Sequence, residues 1–224
     1  MSERLNKYLA FQLGISRREA DELIDRGQVT INESEAILGS RFEEGSVIAV
    51  KGKVLDNKTV YKYIALNKPV GYVSSRREQD GIPTIYALLP EELHDLKSVG
   101  RLDKDSSGLI LLTNDGDFAY QMTHPKFYKV KTYALTLDHA LAPLHHQMIN
   151  DYGVQLEDGP SKLTLEKQDD EGKKWIVTMH EGRNRQIRRT FGALGYTVLT
   201  LHRTNFGNYT LGDLKSGAFE TFEK

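Results

Sequence analysis

Two stretches hold most of the side chains able to do chemistry. Gly100-Arg101-Leu102-Asp103-Lys104-Asp105-Ser106-Ser107-Gly108 sets a guanidinium and two carboxylates ahead of the apolar run Leu109-Ile110-Leu111-Leu112. Glu181-Gly182-Arg183-Asn184-Arg185-Gln186-Ile187-Arg188-Arg189 is the densest basic cluster in the chain. An ionised Asp can serve as nucleophile or as general base. An Arg fork suits phosphate or carboxylate, and four guanidinium groups this close repel one another unless an anion is near. A loop Asp can also simply close a turn by bonding backbone N–H groups. Two other motifs fail. Asp103, Asp105 and Gly108 match positions 1, 3 and 6 of a calcium loop, but position 12 is Asn114 and the bidentate Glu is missing. An aspartyl-phosphate phosphatase needs its Asp-x-Asp pair at the carboxyl end of an apolar strand, and here the apolar run follows the pair.

These residues need elements to hold them. Leu109 to Leu112 is short and apolar on both faces, which predicts a buried strand, with Gly108 before it and Asn114-Asp115-Gly116 after it as breaks. Asp103 then sits in a loop leading into a central strand. Ile187, Phe191 and Leu194 have helical spacing, so the arginine block opens a helix ended by Gly195, with Arg185, Arg188 and Arg189 on one side. Tyr63 to Leu66 predicts a strand stopped at Pro69, and Pro83 to Leu89 a short helix. Asp117 to Met122 reads as helical. Lys129 to Leu137 alternates, with Tyr133, Leu135 and Leu137 on one face of a strand. Residues 157 to 174 are polar and read as a turn or mobile hairpin, followed by strands at Ile176–Met179 and Thr197–Leu201. A helix is expected from Pro143 to Tyr152; its adjacent His145 and His146 point to different faces and form no i, i+4 metal pair, so no metal is assigned.

The first 55 residues have a different texture. Leu5, Tyr8, Leu9 and Leu13 recur at helical spacing up to Gly14. Ser16 with Glu19 is a capping box for a second helix through Ala20, Leu23 and Ile24, ended by Gly27. Val29 with Ile31, and Ile48 with Val50, alternate as strands. Arg4, Lys7, Arg17, Arg18 and Arg26 are candidates for a phosphate-contacting face, although Glu19, Asp21, Glu22 and Asp25 are interleaved with them. The division expected is a small helical and β domain at 1–55, a polar linker at 56–60, and a larger domain at 61–224. The larger part has more strands than helices and no βαβ rhythm. It is expected to be α+β, on a mainly antiparallel mixed sheet.

At 224 residues, 39% apolar and 27% charged, the composition is that of an ordinary globular protein. The amino terminus leads into an amphipathic pattern rather than a signal core, and no stretch has 18 apolar residues, so a cytoplasmic protein with no membrane span is expected. With no Cys there is no disulfide or thiol nucleophile. The net charge of −1 gives no global support to nucleic-acid binding, so any RNA site must be a local basic patch.

Gly-Arg-Leu-Asp-Lys-Asp-Ser-Ser-Gly-Leu-Ile-Leu-Leu-Thr-Asn-Asp-Gly from Gly100 resembles the signature of the RsuA-type pseudouridine synthases of ribosomal RNA. Leu66-Asn-Lys-Pro-x-Gly, Lys131-Thr-Tyr, the arginine block and the closing Leu201-His-Arg-Thr-Asn-Phe-Gly-Asn-Tyr-Thr-Leu stretch resemble further blocks of that family. Arg4-Leu-Asn-Lys-Tyr-Leu-Ala, Gly14-Ile-Ser-Arg-Arg-Glu-Ala and Ile24-Asp-Arg-Gly-Gln-Val-Thr-Ile-Asn resemble the S4-like RNA-binding domain, whose two helices contact phosphates. The resemblance implies a sheet domain with a central cleft that isomerises uridine without a cofactor. It assigns Asp103 as catalytic carboxylate, Tyr133 as the ring packing on the target base, and Arg188 as the basic residue facing Asp103, with Arg183 as substitute. It implies RNA contacts from Arg101, Lys68, Arg183, Arg185, Arg189, Arg4, Lys7, Arg17 and Arg18. The expected partner is ribosomal RNA or a ribosome-assembly intermediate, large-subunit RNA favoured, for a monomer needing no protein partner. A non-catalytic RNA-binding assembly factor on the same scaffold is the competing reading; a carboxylate facing phosphates argues against it.

Overall fold

The computed structural model describes residues 2–55, 60–78 and 81–224. The chain divides into two compact units, Met1–Lys62 and Tyr63–Lys224. Of the linker expected at 56–60, only Val60 lies within the described residues.

In the first unit, the Ser16 hydroxyl accepts from the Glu19 N–H at 3.2 Å, and the Glu19 carboxylate accepts from the Ser16 N–H at 2.7 Å. This reciprocal cap starts the helix Arg17–Asp25. Gly14 and Gly27, both at φ +67°, turn the chain after the helices Leu5–Gln12 and Arg17–Asp25. Leu5, Leu9, Ala20 and Ile24 bury their side chains with Val29 and Ile48. Those last two come from a four-stranded antiparallel sheet ordered Ser34–Glu35, Val29–Ile31, Ile48–Val50, Lys53–Val54.

The second unit is built on a nine-stranded sheet. Its main path runs Thr164–Lys167, Lys174–Met179, Lys131–Leu137, Val198–Phe206, Ser107–Thr113, Tyr63–Lys68, Phe219–Thr221. Every pairing is antiparallel except that of Val198–Phe206 with Ser107–Thr113, which is parallel and confined to His202↔Ser107 and Arg203↔Gly108. The apolar run at 109–112 follows from its place in the middle. Ile110 and Leu112 join Ile64, Leu66, Tyr133, Leu135 and Leu137 in the core on one face. Leu109 and Leu111 join Val99, Phe118, Met122 and Phe206 in the core on the other. A strand covered on both faces cannot alternate with polar residues.

Three expectations are corrected. The polar stretch 157–174 is not a single turn or hairpin. It holds Gly159–Ser161, paired with Val154–Leu156, and the sheet's edge strand Thr164–Lys167, paired with Lys174–Met179. Edge strands keep one face wet, and Leu165 is the inward residue between exposed Thr164 and Glu166. The strand expected to stop at Leu201 runs on to Phe206. The single helix expected over 143–152 is α-helical at Pro143–Gln147 and widens to a π turn at Met148–Tyr152. There His145 Nδ1 lies 2.8 Å from the Tyr196 hydroxyl, and His146 stacks on Trp175. Among the described residues no helix is long and apolar enough to cross a membrane.

Candidate active site

Asp103 stands in the loop entering the central strand, and that loop is pinned from several sides. The Ser74 hydroxyl donates to the Leu102 carbonyl at 2.9 Å and accepts from the Leu102 N–H at 3.1 Å. The Gly71 N–H donates to the Lys104 carbonyl, and the Ser106 N–H closes a turn onto the Asp103 carbonyl. Lys68, fully buried, donates to the Ser106 and Pro69 carbonyls at 2.7 and 2.9 Å. Pinning of this kind fixes a reacting group before substrate arrives.

The Asp103 carboxylate faces a cavity of about 410 Å³ in the second unit, within the usual size of ligand sites, roughly 300–1,000 Å³. Tyr133 lies on its wall, as do Leu201, Phe206 and Met179. Six cations line it (Arg101, Lys131, Arg183, Arg185, Arg188 and Arg203), and Asp103 is the one lining carboxylate among the described residues. A chain of net charge −1 thus concentrates positive charge in one concave place, which draws in a polyanion.

The arginine nearest Asp103 is Arg185, not Arg188: Arg185 Nη1 lies 3.8 Å from Asp103 Oδ2. Arg185 also grips Asp105 through two parallel bonds of 2.9 Å. Arg188 donates to the Val198 carbonyl at 2.6 Å and the Asp105 carbonyl at 2.8 Å, and its Nε lies 3.3 Å from Asp105 Oδ2. The expected pairing of Arg188 with Asp103 is corrected accordingly. Arg185 precedes the helix Gln186–Gly192 in a left-handed conformation at φ 46°, so helical spacing does not set its direction. The Arg185 hydrogen bonds hold the Asp105 carboxyl below its ordinary range; burial opposes this and the Arg188 charge adds to it. Asp105 is therefore a fixed anion that orients two arginines.

Arg183, the substitute, bonds the Asp158 carboxylate and the carbonyls of Asp158, Gly159 and Pro160, and Arg189 bonds Asp158 Oδ2 at 2.7 Å. Both clamp the turn between Val154–Leu156 and Gly159–Ser161. Arg101 is exposed at the cavity mouth. Lys68 corrects the expectation of an RNA-facing lysine: it ties the strand end to the Asp103 loop from within. In the first unit Arg4 and Arg18 are exposed, Lys7 pairs with Glu3 at 3.6 Å, Arg17 donates to Asn6 Oδ1, and Arg26 lies 3.5 Å from Glu22.

Burial pushes the Lys68 ammonium down to about 8, with Asp105 and Asp103 opposing and Arg203 adding to the fall. Below about 8 the lysine is charged folded and unfolded, and the folded state carries the cost of burying it. Between about 8 and the ordinary 10.5 the unfolded chain holds the extra proton, so this group makes stability rise with pH. Lys68→Met should abolish that rise. The wild-type-minus-variant difference in urea midpoint between pH 8 and pH 10, read from the single Trp175, measures it.

Sequence reasoning missed Lys131, Phe206 and Arg203 as cavity residues. The signal for Arg203 was its inward phase two residues after buried Leu201, on a strand read as ending there.

Comparison with known proteins bears on this cleft. Residues 62–193 match the family model described as RNA pseudouridylate synthase, and residues 3–48 match the S4 domain. The ribosomal large subunit pseudouridine synthase B of Bacillus subtilis (strain 168) is 35% identical over 96% of this chain and 90% of its own. The ribosomal small subunit pseudouridine synthase A of Yersinia pestis is 36% identical over 94% of this chain and 90% of its own. A pseudouridylate synthase crystal structure superposes with a TM-score of 0.70 at 33% identity, over 98% of this chain and 96% of that one. With more than half of its length inside one enzyme-family model, and relatives that run alongside it nearly end to end, the chain belongs to the RNA pseudouridine synthases and carries an amino-terminal S4 domain.

Proposed function

We propose that this RNA isomerase converts one uridine of ribosomal RNA to pseudouridine, that the RNA is that of the large subunit, and that Asp103 is the catalytic carboxylate. The observation that carries the reading is the placement of Asp103 on a pinned loop, as the one carboxylate among the described residues lining a cavity whose other described charges are all positive. The target uridine must leave its stack to enter, at a cost of a few kcal/mol. Tyr133 offers a face for the displaced base, worth roughly 1–3 kcal/mol of stacking. Arg101 at the mouth holds the backbone where the base leaves. Asp103 acts at the sugar as nucleophile or base, and Arg185 with Asp105 holds the arginine wall in register beside it. Arg4, Lys7, Arg17 and Arg18 of the S4 unit contact phosphates, which positions the RNA without reading its sequence. The protein does this as a monomer. Both rRNA classes appear among the names of the relatives; the arginine block and the Phe206-Gly-Asn-Tyr-Thr-Leu ending support the large-subunit choice.

The test is incubation with unmodified large- and small-subunit RNA, and with partly assembled particles, followed by carbodiimide-dependent reverse-transcription stops. One new stop in large-subunit RNA is expected. A stop only in small-subunit RNA would overturn the subunit assignment, and none in any substrate would overturn the ribosomal one.

A further inference from the structure

Arg203 is the largest fully buried side chain among the described residues, at 1% exposure, and it lines the cavity that Asp103 faces. Its Nε donates to the Leu109 carbonyl at 2.7 Å, while its Nη2 is buried with no hydrogen-bond partner. No described carboxylate pairs with it in the way that Asp105 pairs with Arg185 or Asp158 with Arg183. A buried cation left without an anion costs several kcal/mol. Such a group persists where a ligand completes it.

The surroundings narrow that ligand. The guanidinium lies 4.9 Å from the centre of the Phe206 ring, and the Lys131 ammonium 5.5 Å from the same ring. Lys131 itself donates to the Glu181 carbonyl at 3.1 Å. Burial and the Arg203 charge lower the Lys131 pKa, and Glu181 opposes them. Two cations are thus held against each other on the same wall as Tyr133, which pairs directly with Arg203 across the sheet. The strand holding Arg203 also pairs with the central strand at His202↔Ser107 and Arg203↔Gly108, the latter five residues after Asp103. The guanidinium is therefore locked beside the strand that the Asp103 loop enters, on the wall of the cavity.

We propose that Arg203 is the group that receives the uracil ring: its guanidinium donates an N–H to a ring carbonyl oxygen and, with Lys131, stabilises the negative charge the ring acquires when it leaves the sugar. The inference rests on the reading of this cleft as the isomerisation site. When the N1–C1′ bond breaks, its electron pair goes with the ring and spreads over N1, C5 and both carbonyl oxygens. The C5–C1′ bond then forms, C5 loses its proton and N1 gains one, so the product has the atoms of the substrate. A preorganised donor at the oxygen where charge develops lowers the barrier by more than it strengthens binding.

The experiment uses the full chain and a fragment of the RNA it modifies. Arg203→Met should slow single-turnover conversion roughly 10²–10³-fold, the usual loss for one such donor, with the RNA Kd changed less than about threefold. Lys131→Met should slow it less. Because Arg203 is buried, Arg203→Lys is run beside Arg203→Met, and Trp175 unfolding midpoints check both. RNA with 2-thiouridine or 4-thiouridine at the target supplies a readout that a structural role leaves untouched. Sulfur is a poorer acceptor, so one of the two should slow the wild type and have little further effect on Arg203→Met. An equal sulfur penalty in both proteins would overturn the proposal, as would a folded Arg203→Met enzyme of wild-type rate. Wild-type failure to convert any uridine would instead overturn the reading of the cleft.

Discussion

Asp103→Asn should abolish isomerisation and leave the RNA bound. The change keeps the size of the side chain and removes only its charge and basicity. The loop should stay in place, because its contacts run through the backbone and through Ser74, Gly71 and Lys68 rather than through the Asp103 carboxylate. A positioned acid–base or nucleophilic group is worth roughly 10²–10⁴ in rate, so the single-turnover rate should fall at least that far. The Kd, measured by filter retention, should hold or tighten. A carboxylate on a wall of cations opposes a polyanion, and the amide does not. Loss of rate together with loss of binding would mean that Asp103 holds the cleft together instead of acting in it.

Gly108→Ala should be the most damaging small substitution in the second unit. Gly108 has φ +103°, and a Cβ there would sit 2.2 Å from the Arg203 carbonyl oxygen and 2.6 Å from its nitrogen. Backbone cannot step aside as a side-chain tip can, because Gly108 and Arg203 form one of the two parallel register pairs at this junction. Overpacking costs roughly 1–3 kcal/mol and a forced left-handed residue about 1–3 kcal/mol. The sum is a large part of a typical domain's stability of about 5–15 kcal/mol. The urea midpoint read at Trp175 should drop sharply, and whatever still folds should be slow, since Arg203 lies on one of the two strands being pushed apart and the Asp103 loop leads into the other. Gly192→Ala is the control: it ends a helix and its Cβ would meet nothing within 4 Å. There alanine should be neutral or stabilise by about 0.5–1 kcal/mol. Equal behaviour of the two variants would mean that the junction is looser than its geometry implies.

Much of this was legible in the sequence because local rules determined it. The Leu109–Leu112 run, the Ser16–Glu19 box and the alternation of Tyr133, Leu135 and Leu137 each state their own environment. The glycines at 14, 27 and 195 mark helix ends and take positive φ. What stayed hidden depends on partners distant in sequence. Arg185, Arg188 and Arg189 were placed on one helix face, yet Arg185 lies outside the helix and turns to Asp105 and Asp103, while Arg189 turns to Asp158. Lysines are rarely buried, and only the carbonyls of Ser106 and Pro69 show why Lys68 is. Arg203 stayed hidden because a strand read as ending at Leu201 gave it no inward face.

The most direct test of the Asp103 assignment compares two neighbouring carboxylates. Uridine labelled with tritium at C5 releases that label as the C–C bond forms, so single-turnover tritium release follows the chemistry itself. Asp103→Asn should lower release by at least 10²-fold. Asp105→Asn should lower it much less, because Asp105 acts only through the arginines it orients. Release from Asp103→Asn at near the wild-type rate, with Asp105→Asn silent, would contradict the account and move the catalytic carboxylate two residues along the loop.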